Sequence, residues 1–254
     1  MIGRGRMVYR VFLGMIILML ASKHSLGEAV APVVVDVPLK KVFVPAGFDS
    51  NDRVQFAVGG ELKNSCYKIA SNSVTVHPET KTIVVKQQAY VYLGFCLMMI
   101  VPYSDVITLG IMEQPGDYQI IDGSSGQPMG RILINLARNV EQDEYLYAPV
   151  TDVSLATQSG DTPSENNPEK NKLVLRGTFT NSCMSIKEVK VSYNENSIVV
   201  QPLAHYAPQT ENCKEEKRNF SQEVSLDSKL AGEYLVHVRS LNGAAINKVV
   251  EFGF

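Results

Sequence analysis

Apolar residues recur at every second position through much of the chain. Val74 and Val76 alternate with polar neighbours, Pro78-Glu79-Thr80-Lys81 supplies turn formers, and Ile83-Val84-Val85 follows. A period of two is the signature of strands, so this stretch predicts a hairpin. Tyr118 and Ile120, then Ile132, Ile134 and Leu136, predict a second one. Both patterns return later. Val189, Val191 and Tyr193 reach a turn at Asn194-Glu195-Asn196 and come back through Ile198-Val199-Val200. Tyr234, Val236 and Val238 reach Asn242-Gly243 and come back toward Val250 and Phe252. Asn-Gly between alternating runs is a strong hairpin signal, because both residues tolerate positive φ. No helix-length amphipathic pattern occurs beyond residue 29. Short strands at spacings of about 8–12 residues predict an all-β, antiparallel sandwich.

The recurrence is a duplication. Gly60-Glu61-Leu62-Lys63-Asn64-Ser65-Cys66 matches Gly177-Thr178-Phe179-Thr180-Asn181-Ser182-Cys183 at an offset of 117, and Cys96 matches Cys213 at the same offset. Tyr103-Ser104 matches Phe220-Ser221, and Pro115-Gly116-Asp117-Tyr118 matches Ala231-Gly232-Glu233-Tyr234. The leading segments also align on sequence: Ala31-Pro32-Val33 with Ala148-Pro149-Val150, and Asp36-Val37-Pro38-Leu39 with Asp152-Val153-Ser154-Leu155. Two units are therefore expected, 30–147 and 148–254. Residues 157–171, polar and rich in turn formers, are read as a mobile loop inside the second. Each unit separates its two cysteines by 30 positions, and the pairing that closes each unit on itself is Cys66–Cys96 with Cys183–Cys213.

Residues 1–29 read differently. Arg4, Arg6 and Arg10 precede the apolar run 11–20, and Gly27-Glu28-Ala29 places small residues three and one before a cut after Ala29. That order is a secretory signal peptide, and ten apolar residues fall short of the roughly 20 that span a bilayer. Export to the periplasm or the extracellular space is expected, where four cysteines pair as disulfides. Removing residues 1–29 from a chain with 24 basic and 26 acidic residues leaves 20 against 25, a formal charge of −5. Such a balance argues against a polybasic lipid- or DNA-binding face and a nucleic-acid partner, and no stable membrane span remains after signal removal.

Pro115-Gly116-Asp117-Tyr118 and Leu230-Ala231-Gly232-Glu233-Tyr234 resemble the L-x-P-G-x-Y stretch that enters the penultimate strand of immunoglobulin-like and fibronectin-III-like domains. The resemblance implies a sandwich whose tyrosine hydroxyl ties a corner to upstream backbone. Neither second cysteine follows its tyrosine by two residues and there is no Trp, so the implied fold is immunoglobulin-like rather than an immunoglobulin domain. The whole unit is also similar to tandem modules of exported bacterial proteins, a resemblance that implies no particular activity.

Candidate chemistry is sparse. Asp49, Asn51 and Asp52 offer hard oxygens at close spacing and resemble the D-x-N-D element of calcium-linked cadherin repeats; an Asx-type capped turn is the other reading. His77, His205 and His237 stand alone in their segments and are read as surface residues. Met98, Met99 and Met112 are read as packing rather than copper ligands. Gly123-Ser124-Ser125-Gly126 lacks a nucleophile-elbow context, and no HExxH, phosphate loop or dinucleotide fingerprint occurs.

The informative feature is a difference between the units. After its second cysteine the first reads Leu97-Met98-Met99-Ile100-Val101, where the second reads Lys214-Glu215-Glu216-Lys217-Arg218. If the folds agree, the charged version faces water and the apolar version is an intermolecular interface, a surface packed by the other unit, or a local rearrangement. The leading expectation is a non-enzymatic exported protein that binds another protein or a second copy of itself through residues 97–101. The alternatives are an exported hydrolase or protease-inhibitor-type module with its site on loops such as 44–52 and 159–170, and a tandem repeat stiffened by calcium, the one cofactor considered.

Overall fold

The computed structural model describes residues 30–139, 143–156, 171–207 and 213–253. The segments read as a signal peptide and, apart from Asn171, as a mobile loop lie outside the described residues. Every named element among the described residues is a strand. The first unit contains β1 (Val33–Val37), β2 (Lys41–Phe43), β3 (Phe48–Asp49), β4 (Arg53–Leu62), β5 (Tyr67–His77), β6 (Thr82–Val91), β7 (Val101–Ile111), β8 (Gly116–Asp122) and β9 (Pro128–Asn135). The second contains β10 (Val150–Leu155), β11 (Lys172–Phe179), β12 (Met184–Asn194), β13 (Ser197–Tyr206), β14 (Arg218–Ser225), β15 (Gly232–Ser240) and β16 (Ala244–Phe252).

Each unit is a sandwich of a small and a large sheet. In the first, β2-β4-β7 faces a sheet that runs β5-β6-β8-β9, with β1 beside the far half of β6 and β3 beside β9. In the second, β10-β11-β14 faces β12-β13-β15-β16. The period-two residues fill the space between. Val54, Phe56, Val58, Ile83, Tyr118, Ile120 and Ile132 are buried together in the first unit. Leu173, Leu175, Ile198, Val200, Val236, Val238 and Phe252 do the same in the second. The expected turns are present: Asn242 and Gly243 both have positive φ (62° and 65°), the conformation a type I′ hairpin needs.

Three expectations are revised. The sheets are not wholly antiparallel, since β6 pairs β8, and β13 pairs β15, in parallel. The immunoglobulin order would set the strand before them, β5 or β12, in that place; here the crossover to the small sheet leaves from the inner strand. The leading segments align five positions off. Val42 stands opposite Val58 and Val153 opposite Leu175, so Val153 is the counterpart of Val42 and not of Val37. A short alternating run fits neighbouring registers on sequence alone, and only hydrogen bonding selects one. Residues 146–148 already pair with β13, through Tyr147 opposite Leu203, so pairing in the second unit begins two residues before 148.

The tyrosine corner is present in the first unit, where Tyr118 Oη donates to Gln114 O at 2.9 Å.

Candidate functional site

The shared Gly-x-x-x-Asn-Ser-Cys motif builds a stapled loop. Asn64 Oδ1 accepts the Cys66 amide at 3.0 Å and closes the turn between β4 and β5. Ser65 Oγ accepts the Leu97 amide at 2.8 Å, while Leu97 O accepts the Ser65 amide at 3.1 Å. The Cys66–Cys96 disulfide then ties that turn to residues 92–100, which carry the chain from β6 to β7. The second unit repeats each link: Asn181 Oδ1 with the Cys183 amide at 2.8 Å, Ser182 Oγ with the Lys214 amide at 2.9 Å, and Cys183 with Cys213. The glycine opening the motif has its own reason. An aromatic ring of the edge strand crosses each, so that a Cβ on Gly60 would lie 2.6 Å from Tyr103 Oη and one on Gly177 2.5 Å from Phe220 Cζ; the latter would also lie 2.1 Å from Pro149 O.

On this common support, residues 97–101 and 214–218 hold equivalent places. The charged run of the second unit is exposed. So is the apolar one: Phe95 keeps 93% of its surface, Met98 87% and Leu93 75%, and Leu97, Met99 and Ile100 are exposed as well. Of the three readings, packing by the second unit is overturned, because that unit sits elsewhere. Around the loop lie exposed Tyr90 and Tyr92, and Lys68 Nζ rests 5.3 Å from the Tyr92 ring centre. A cleft of about 550 Å³ adjoins Ile100, between β1 and residues 61–67.

The second unit packs instead on the outer face of β2 and β4. Leu235 and Val249 bury Phe43 and Ala57. Asn194 Nδ2 donates to Val44 O and Asn196 Nδ2 to Val42 O, each at 3.1 Å. His237 is buried there, against the surface position read from the sequence; its Nδ1 meets Asn247 Oδ1 at 2.7 Å, and Asn247 Nδ2 donates to Gln55 Oε1 at 2.7 Å. Burial holds its pKa down at about 4. His77 and His205 are exposed, as read.

The calcium candidates fall at this junction. Asp52 Oδ2 accepts the Asp49 amide at 2.9 Å, the capped turn, and lies 3.3 Å from Arg239 Nη1 across the units. Arg239 Nη2 also donates to Gly47 O. Burial raises the Asp52 pKa against the pull of Arg239. Asn51 Nδ2 donates to Asn139 O at 3.1 Å. Among the described residues no group of three or more His, Cys, Asp or Glu is placed to hold a metal ion. The sequence signal missed was Arg239 itself, distant along the chain from its partner.

Fold and site together define a duplicated sandwich protein with one disulfide-stapled loop per unit and an apolar loop on the first. The chain matches the ORF11 beta-sandwich domain over residues 56–123 and 173–252. These segments make up more than half of the chain, which therefore belongs to that family. No curated protein matches it. No solved structure matches it. Among the described residues no helix is long and apolar enough to cross a membrane.

Proposed function

We propose that the chain is an exported, non-enzymatic binding protein that makes its contact through residues 92–101 of the first unit. The carrying observation is the exposure of Phe95, Met98 and their neighbours on a loop whose counterpart, held by the same hydrogen bonds, is charged. Apolar area left in water forgoes about 25 cal/mol per Å², and a contiguous patch on a rigid support marks a contact surface. Export is supported by the order of charge and apolarity in residues 1–29 and by two disulfides, which persist in oxidising compartments.

The test is Met98→Lys with Met99→Lys. The variant is expected to keep both disulfides and its melting temperature, and to lose retention on a hydrophobic matrix. Loss of folding would instead make these residues core and sink the reading. A protein partner or second copy has one specific observation in its favour. Among the described residues β7 pairs only with β4, and it starts where the loop ends, leaving an open edge beside the apolar run. A mass in solution that falls to the monomer in the same variant identifies that contact.

A further inference from the structure

We infer that the loop meets a lipid surface: its apolar tip seats in the interfacial layer of a bilayer bearing anionic headgroups. The inference rests on residues 92–101 being the contact surface and names what they touch. Three segments converge where Val91 pairs with both Val33 and Tyr67. Across residues 30–35, 62–72 and 89–104 the only charged side chains are Lys63 and Lys68, in a protein that is otherwise acidic. Both lysines are exposed. The acids that border these segments are engaged, Asp36 with Lys86, Glu61 with Lys40 and Asp105 with Asn72, so the apolar loop itself adjoins cations and suits anionic headgroups. The corresponding end of the second unit mixes signs, with Lys187, Lys190, Lys214, Lys217 and Arg218 among Glu188, Glu215 and Glu216.

The side chains around the loop are of the matching types. Leu93, Phe95 and Met98 are the most exposed of its apolar groups. Tyr90 stands opposite Lys68 in the sheet, and Lys68 Nζ lies 5.3 Å from the Tyr92 ring centre. Exposed apolar side chains bordered by tyrosines and lysines are the set of groups that acyl chains, carbonyls and phosphates of a bilayer interface accept. A protein partner would need a concavity shaped to Phe95 and Met98, whereas a fluid acyl layer conforms to any projecting tip. The disulfide and the Ser65–Leu97 hydrogen bonds fix the backbone that carries these exposed groups.

The chain has no Trp, so Phe95→Trp makes a single reporter. With the chain from Val30 on and vesicles of phosphatidylcholine containing about one-third phosphatidylglycerol, its emission is expected to shift to shorter wavelength, and that of Lys217→Trp is not. In flotation, Phe95→Ser and Met98→Ser should each lower partitioning about tenfold. Lys63→Gln and Lys68→Gln should each lower it about fivefold at low salt, and only on the anionic vesicles. Binding that survives the serine changes but not the glutamine changes is headgroup attraction without insertion and overturns the inference. No flotation, with self-association that Met98→Lys/Met99→Lys abolishes, overturns it while leaving the contact surface in place. No flotation and no association dependent on those methionines removes both.

Discussion

The two stapled loops differ in side chain and agree in backbone. Leu97 and Lys214 both donate an amide to the serine of an Asn-Ser-Cys turn, and both sit one residue after a disulfide cysteine. The scaffold is therefore carried by Asn, Ser, Cys and main chain, and the following five positions are free to be apolar or charged. The flat faces differ in whether they are covered. The outer face of β15 and β16, where Leu235 and Val249 stand beside His237, Arg239 and Glu233, is covered, whereas its counterpart on β8 and β9 carries an exposed Asp117–Arg131 pair. The face of β2 and β4 is covered, whereas β10 and β11 carry Asp152–Arg176. The covered faces are joined by two ion pairs of their own, Lys41–Glu233 and Asp52–Arg239, while the open faces hold theirs in water.

Removing one acid from each kind of face gives the largest effect. Asp52→Ala strands Arg239, whose side chain and that of Asp52 are each only 11% exposed. A buried charge left without its partner costs about 3 kcal/mol. Adding Arg239→Met should restore most of it. Asp117→Ala breaks an exposed pair and should cost less than about 1 kcal/mol. Urea unfolding of the four proteins measures the contrast; equal costs at Asp52 and Asp117 would mean the junction does not exclude water.

The junction also titrates. His237 has a pKa near 4 in the fold, below its ordinary 6.5, so between those values the unfolded chain binds more protons. Stability should fall as pH drops through that window, by up to about 3 kcal/mol. Asp52, raised by burial, takes its proton sooner in the fold and opposes part of this loss. His237→Gln should flatten the profile of unfolding midpoint against pH; an unchanged slope would place its origin elsewhere.

The duplication, the disulfides and the sandwich were legible because each rests on local chemistry repeated twice: alternation, Asn-Gly, and cysteines at equal spacing. The junction was not. Asp52 resembles a calcium ligand until Arg239 arrives from the other unit, and His237 looks solvated until Gln55 and Asn247 enclose it. Both depend on partners that no spacing rule links. The strand order was hidden for a different reason: either strand of the hairpin from β5 to β6 satisfies the same alternation beside β8.

A smaller contrast lies in the motif glycines. Gly60→Ala pushes on the Tyr103 ring, which can swing, and should cost about 1 kcal/mol. Gly177→Ala meets Pro149 O as well as Phe220, and backbone cannot turn aside, so about 3 kcal/mol is expected. Thermal unfolding compares them, and Tyr103→Leu should rescue the first alone.

Exchanging the loop sequences has the smallest effect on stability and the largest on binding. With Lys-Glu-Glu-Lys-Arg at 97–101, or Leu-Met-Met-Ile-Val at 214–218, both Ser–amide hydrogen bonds and both disulfides remain available. Exposed positions outside the core should change stability by no more than about 0.5 kcal/mol. Surface attraction should leave the first unit with its five apolar residues. It should transfer only in part to the second, where Glu188 stands between Lys187 and Lys190 and Ser185 takes the place of Lys68. Measuring flotation and hydrophobic retention for both swaps separates the loop's sequence from its surroundings. Full transfer would assign binding to five residues, and partial transfer assigns it to those residues together with the Tyr and Lys side chains around them.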